Sequence, residues 1–221
     1  MQATPFRIKI CGITTWFDAR GAASAGADAI GLTFYEQSPR CILPTEAQKI
    51  ARDKEDATQR IGVFVNADLE SIRNLCEEDL VDAVQLHGDE PPEFVAKLQG
   101  QPVIRARRID DRGVAAIAED LAACKAAGRL PDAVLVDAMT PGRYGGTGET
   151  VSWAGLADYR RWLGDVPLIL AGGLTPENVA EAIRIVRPDG VDVASGVEKS
   201  PGVKDARLVE KFIAAARLAF C

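Results

Sequence analysis

The sequence predicts an α/β protein built as a (β/α)8 (TIM) barrel. Two observations predict it. Short runs rich in Val, Ile and Leu alternate with stretches of helical composition, and the alternation repeats eight times over 6–219. The runs are mostly apolar, as strands of a parallel sheet covered by helices on its outer face must be. Eight such units close a barrel. The competing doubly wound sheet usually carries Gly-x-Gly-x-x-Gly after its first strand, whereas the first strand here ends in Cys11-Gly12-Ile13-Thr14.

In chain order, the first strand spans 6–11, and the small residues of 18–27 form the first helix. A strand over 29–35 follows, then a helix from about Thr45, which caps it after Pro44. Strand 60–65 leads into helix 68–78, and strand 83–86 into a short helix over 92–98 after Pro91. Strand 102–107 precedes helix 113–127. Strand 133–136 precedes a long loop and a helix over 153–162, capped by Ser152. Strand 167–171 is followed by helix 175–186, whose Thr-Pro-Glu opening supplies a cap, a first-turn proline and an acid. Strand 190–193 and helix 205–219 close the chain. No linker or composition break interrupts this order, so residues 1–221 are expected to form a single domain.

Strand parity separates the barrel interior from the helix-facing side. Ile8 and Ile10 face the helices, so Lys9 and Cys11 point inward. In the sixth strand Val134 and Val136 point outward and Leu135 and Asp137 inward; in the eighth, Val191 and Val193 point outward and Asp192 inward. Lys9 and Asp192 are then expected to pair, because the first and eighth strands are neighbours and a buried charge requires a partner. In the fifth strand the same parity is expected to direct Arg105 and Arg107 into the barrel.

Charge and cysteine usage exclude several classes. The 26 Lys and Arg residues against 32 Asp and Glu give a net charge of -6, with no global attraction for nucleic acid or an anionic membrane. No apolar run approaches the roughly 18 residues of a membrane span, and MQATPFRIKICG lacks the apolar segment of a signal peptide. The five cysteines, Cys11, Cys41, Cys76, Cys124 and Cys221, are odd in number and form no CxxC. That argues against a disulfide framework or a zinc site and for a reducing cytoplasm. With a single histidine, His87, a histidine metal site or a Ser–His–Asp triad has little material. No cofactor or metal is expected, the partner is a small molecule, and a monomer is the default expectation.

Active sites of such barrels lie at the C-terminal ends of the strands. Cys11 and Asp137 reach that level from the first and sixth strands. Cys11 alone reads first as a small buried residue, and Asp137 alone equally as a turn cap; facing each other they form a thiol base and a carboxyl acid. Gly172 and Gly173 follow the seventh strand, and Ser195 and Gly196 the eighth, the two loops that commonly hold phosphate in barrels. Their glycines serve tight turns as well. Arg40, after the second strand, suits a carboxylate or solvent. His87 ends the fourth strand, where it contacts ligand or orders the rim. The glycine-rich stretch Tyr144 to Gly148 is not a P-loop; a flap and a second set of phosphate donors both remain open for it.

Taken together, Lys9-Ile10-Cys11-Gly12-Ile13, Ser38-Pro39-Arg40, Val84-Gln85-Leu86-His87-Gly88, Asp137-Ala138, Gly145-Gly146-Thr147-Gly148, Leu170-Ala171-Gly172-Gly173-Leu174, Val193-Ala194-Ser195-Gly196-Val197-Glu198 and Pro201-Gly202-Val203-Lys204-Asp205 resemble the phosphoribosylanthranilate isomerase family in order and spacing. The resemblance covers almost the whole chain. It implies an Amadori rearrangement in tryptophan biosynthesis, from the aminoaldose N-(5-phosphoribosyl)anthranilate to an aminoketose. By the same resemblance Cys11 is the general base, Asp137 the general acid and Arg40 the holder of the anthranilate carboxylate. Phosphate falls to Gly172, Gly173, Ser195 and Gly196, together with Gly146. The site is expected to lower the Cys11 pKa. The sequence departs from the family at Thr33-Phe34-Tyr35, at Cys41 and at Ala194. The rivals are the histidine-pathway aminoaldose isomerase, which would use paired aspartates, a non-catalytic phosphosugar binder, and a purely structural barrel.

Overall fold

The structure, a computed structural model, describes residues 4–53, 58–109, 112–137 and 153–221. Eight parallel strands close a barrel in chain order: β1 (Ile8–Cys11), β2 (Ala29–Thr33), β3 (Gln59–Phe64), β4 (Ala83–Leu86), β5 (Val103–Arg108), β6 (Ala133–Asp137), β7 (Leu168–Ala171) and β8 (Gly190–Val193). The helices that alternate with them are α1 (Trp16–Ala25), α2 (Pro44–Ala51), α3 (Leu69–Glu77), α4 (Pro92–Lys97), α5 (Val114–Ala126), α6 (Arg160–Leu163), α7 (Val179–Val186) and α8 (Ala206–Phe220). Thr15, Asp68 and Asp205 start α1, α3 and α8 by accepting backbone N–H groups that have no partner inside the helix.

The two sides of each strand enter different cores. Ile8, Ile10, Val134, Val136, Val191 and Val193 pack under the helices, as parity requires. Phe6, Ala29, Ile61, Ala83, Ile104, Ala133, Leu135 and Ile169 fill the barrel and give it a solid apolar floor. Above that floor the interior turns polar. Lys9 pairs in register with Asp192, and its Nζ lies 3.1 Å from Oδ1, as the sequence predicts.

Strand β5 departs from expectation. Ile104 and Ala106 occupy the interior, and Arg105 and Arg107 point outward. Asp120 of α5 supplies the counter-charge: it accepts from Arg105 at 2.6 and 2.9 Å and from Arg107 at 3.1 Å. The premise that the helix-facing side is apolar fails wherever a helix presents a carboxylate. Three other expectations also change. Helix 153–162 is a 3-10 turn (Trp153–Leu156) and the single α turn α6; its cap Ser152 lies outside the described residues. Residue Thr45 is not a cap, because Pro44 already occupies the first turn of α2 after Leu43. Thr175 caps a turn, through its Oγ1 to Glu177 N, and α7 begins only at Val179. After β8 a small antiparallel pair, β9 (Glu198–Ser200) and β10 (Val203–Lys204), folds over the catalytic end.

The opposite end is fastened by a repeat. Asp28, Asp82, Asp132 and Asp189 each stand just before an even-numbered strand. Each accepts a backbone N–H at the start of the preceding odd strand: Ile8 at 2.9 Å, Arg60 at 2.7 Å, Val103 at 2.8 Å and Leu168 at 2.9 Å. These carboxylates give an acceptor to backbone donors at the first rungs of the ladder.

Candidate active site

Cys11 tops β1 and is partly exposed, beside the fully buried Lys9. Both crowd against β2 at Gly31, where an added Cβ would lie 2.6 Å from Cys11 Sγ and 3.0 Å from Lys9 Cε. Gly12 follows at φ 75°, and the Arg40 stem packs over it so closely that a Cβ there would meet Arg40 Cδ at 2.5 Å. Burial and the charge of Asp192 push the Cys11 thiol up, against the opposing pull of Lys9 and Lys204. This corrects the expected lowering: the cations are present, but desolvation and the neighbouring carboxylate outweigh them. Burial alone would push the Lys9 ammonium down, yet Asp192 and Cys11 hold it above its ordinary value.

Arg40 forms a two-pronged pair with Glu198, Nε to Oε1 at 2.8 Å and Nη2 to Oε2 at 2.6 Å. Lys204 donates to Oε1 of the same carboxylate at 2.8 Å and to the Ala194 carbonyl at 3.1 Å. Burial favours the neutral acid at Glu198, but hydrogen bonds from Arg40 and Lys204 hold its pKa below the ordinary value. Two cations and one anion leave the cluster with a net positive charge beside Cys11, and the Arg40 Nη1 is not used by Glu198. Thr14 ties β1 to the hairpin by donating to the Gly202 carbonyl at 2.6 Å.

Asp137 and His87 lie at the ends of β6 and β4 and interact electrostatically with each other, as His87 does with Arg108. Asp137 shares the inward face of β6 with Ala133 and Leu135. Gly172 and Gly173 turn the chain after β7 with φ of 88° and 65°, a conformation glycine adopts without strain. Ser195 and Gly196 open the short 3-10 turn Ser195–Val197 after β8, whose Val197 N–H returns to the Ala194 carbonyl. Gly196 packs directly on the Leu174 carbonyl, leaving no room for a Cβ. The two glycine loops therefore touch. Gly146 lies outside the described residues.

The structure thus gathers Cys11, Arg40, Ser195 and Gly196 around β1, β2 and β8, and His87 with Asp137 on the β4–β6 side. Gln85, Arg108, Glu198, Lys204 and Gly31 join them without having been singled out in the sequence. Period-two spacing places Gln85 on the His87 face, and that signal was available.

The model of the family described as N-(5'phosphoribosyl)anthranilate (PRA) isomerase matches residues 8–215. The N-(5'-phosphoribosyl)anthranilate isomerase of Geotalea daltonii is 45% identical over 211 residues, covering 96% of both chains. The phosphoribosyl anthranilate isomerase crystal structure from Thermotoga maritima superposes with a TM-score of 0.83 at 39% identity, over 96% of this chain and 98% of that one. A further crystal structure of such an isomerase, in complex with reduced 1-(o-carboxyphenylamino)-1-deoxyribulose 5-phosphate, gives 0.81 at 36% identity over the same shares. Matched from β1 into α8, and carrying the polar barrel mouth that this chemistry needs, the chain belongs to the N-(5'-phosphoribosyl)anthranilate isomerase family.

Proposed function

We propose that the family's rearrangement of N-(5'-phosphoribosyl)anthranilate is carried out here by Cys11 as general base and Asp137 as general acid. One observation carries the reading. A thiol and a carboxyl group end inward-facing positions of β1 and β6 on the same rim as two touching glycine loops. Asp137 gives its proton to the furanose ring oxygen as the C1'–O bond breaks, and the anilino nitrogen lone pair forms the C=N bond of a protonated Schiff base. Cys11 takes the C2' proton, and that electron pair forms the C1'=C2' bond while the iminium collapses to the neutral enolamine. Loss of the C2' hydroxyl proton and protonation at C1' give the ketone, so electrons and atoms balance within the substrate.

The raised Cys11 thiol pKa fits this order. The Schiff base is a cation formed beside Cys11, and a nearby positive charge favours the thiolate. Arg40 holds the anthranilate carboxylate through the positive cluster, and the N–H groups of Gly172, Gly173, Ser195 and Gly196 hold the phosphate, with Gly146 as a further donor.

The test follows loss of anthranilate-type fluorescence from freshly prepared substrate, corrected for spontaneous hydrolysis. Cys11→Ala and Asp137→Asn are expected to lower kcat by about 10²–10⁴-fold with the fold intact. Near-normal turnover in either removes the acid–base assignment. Conversion of the histidine-pathway aminoaldose instead would favour the rival isomerase.

A further inference from the structure

The barrel interior holds a chain of polar side chains that the acid–base pair does not use. Lys9 on β1 reaches across to Gln85 on β4, Nζ to Oε1 at 2.9 Å, and neither residue has any solvent exposure. Two residues on, on the same face of β4, Gln85 Nε2 lies 3.0 Å from His87 Nδ1. The order of donors in this chain is forced. An ammonium only donates, so the amide oxygen must face Lys9. The amide nitrogen, which also only donates, then faces the ring, and Nδ1 must accept. A ring whose Nδ1 accepts and which carries one proton carries it on Nε2. That nitrogen lies on the side of the ring away from Gln85, and no hydrogen bond among the described residues occupies it.

We propose that His87 is a neutral hydrogen-bond donor to an oxygen of the bound sugar, through Nε2–H, and that Lys9 imposes this tautomer through Gln85. The inference rests on the isomerase reading for its ligand, but its wiring does not depend on turnover. His87 then neither gives nor takes a proton in the cycle, and the acid and base roles stay with Asp137 and Cys11 as proposed above. The charged groups facing the ring are Lys9 from β1, Asp192 from β8, Asp137 from β6 and Arg108 from β5. Burial, with Lys9 adding to it, holds the imidazolium form below its ordinary range. Gln85 is a positioning residue: it touches His87 and Lys9.

The sequence offers a clean experiment, because His87 is the single histidine of the chain. In protein labelled with ¹⁵N-histidine, long-range ¹H–¹⁵N correlation is expected to show one ring, protonated at Nε2. It should stay so as pH falls through the ordinary imidazole value of about 6.5. An Nδ1–H tautomer, or an imidazolium at neutral pH, overturns the proposal whatever the activity. Gln85→Glu keeps an acceptor for Lys9 but offers Nδ1 only acceptors, so the tautomer should reverse or the ring should take a second proton. An unchanged tautomer in a folded Gln85→Glu protein shows that Gln85 does not set it and overturns the relay. For the ligand contact, His87→Gln retains a donor and His87→Leu does not. Leu is expected to lower kcat/KM by about tenfold more than Gln, the worth of one hydrogen bond. Equal losses in the two overturn the donor role. If the ring has the expected tautomer and the protein does not rearrange phosphoribosylanthranilate, the reaction assigned above fails and the wiring stands.

Discussion

At Cys11 the proposed base and its surroundings pull against each other, and the pH profile of the enzyme should record it. A base that works as thiolate is active above its pKa. Burial and Asp192 raise that pKa in the free enzyme, where kcat/KM is read. The kcat/KM limb assigned to Cys11 should therefore still be rising at pH values above the ordinary thiol pKa of about 8.5. A plateau reached well below that value would mean that Lys9 and Lys204 dominate. Gly31 offers a second check on the same group. Its missing Cβ makes the space that Cys11 Sγ and Lys9 Cε occupy, and Cys11 Cα, which cannot rotate away, would lie 3.0 Å from an added methyl. Gly31→Ala is expected to reduce kcat by about 10²-fold, the scale of an ångström's misplacement, with circular dichroism unchanged. The sequence showed Lys9, Cys11 and Asp192 as an inward group because alternation in an eight-strand barrel is a strong constraint. It could not show that Gly31 is a recess, since that depends on the spacing of two strands.

At the level of elements, β5 shows where alternation stops being sufficient. Val-Ile-Arg-Ala-Arg-Arg contains Ile104 and Ala106 on one face and Arg105 and Arg107 on the other, and both faces are buried as far as Ala106. Which face is inside is decided by Asp120 on α5, remote in sequence, and by the Gly88 and Glu90 carbonyls that the two arginines also reach. The hairpin β9–β10 was likewise invisible as an element, being only a few residues long and stabilised by its contacts with Thr14 and Arg40. The aspartates before the even strands were in plain view, but their role requires knowing that each faces the start of the strand before. They make a prediction specific to the non-catalytic end. Asp189 accepts from Leu168 N–H at 2.9 Å and from the buried Tyr159 hydroxyl at 2.8 Å, and it pairs with Arg160 at 2.7 Å. Asp189→Ala removes the acceptor of Leu168 N–H and the ion partner of Arg160, and leaves the Tyr159 hydroxyl only the Arg187 carbonyl at 3.2 Å. It should cost about 1–3 kcal/mol in denaturant-induced unfolding while leaving kcat unchanged. A loss of kcat at unchanged stability would break the separation of the two ends.

Across the whole molecule, the barrel closes where its first and last strands meet, and the same seam carries the cluster of Arg40, Lys204 and Glu198. Glu198, with a side chain 4% exposed, is held by Arg40 from the β2 loop and by Lys204 from β10; Lys204 also fixes the Ala194 carbonyl next to the loop proposed to hold phosphate. The spacing between the groups proposed for carboxylate and for phosphate therefore passes through one carboxylate, which holds Arg40 directly and reaches the Ala194 loop through Lys204. Glu198→Gln removes the charge that orients Arg40 and keeps the shape. Binding of reduced 1-(o-carboxyphenylamino)-1-deoxyribulose 5-phosphate should weaken by about tenfold, the loss of one charge-assisted contact. Inorganic phosphate, which does not need Arg40, should bind as before, and equal weakening of both ligands would show a general loosening of the rim instead. Stability gives an independent reading with a definite sign. The folded Glu198 pKa is depressed, so its contribution is complete above the unfolded glutamate value of about 4.3 and disappears as pH falls through the lower folded value. The stability difference between wild type and Glu198→Gln should accordingly be constant from pH 7 down to about 5 and shrink in more acidic solution. A difference that instead grew on acidification would mean that Glu198 is protonated more readily in the folded protein than in the unfolded chain, and the ion cluster would not be what holds Arg40.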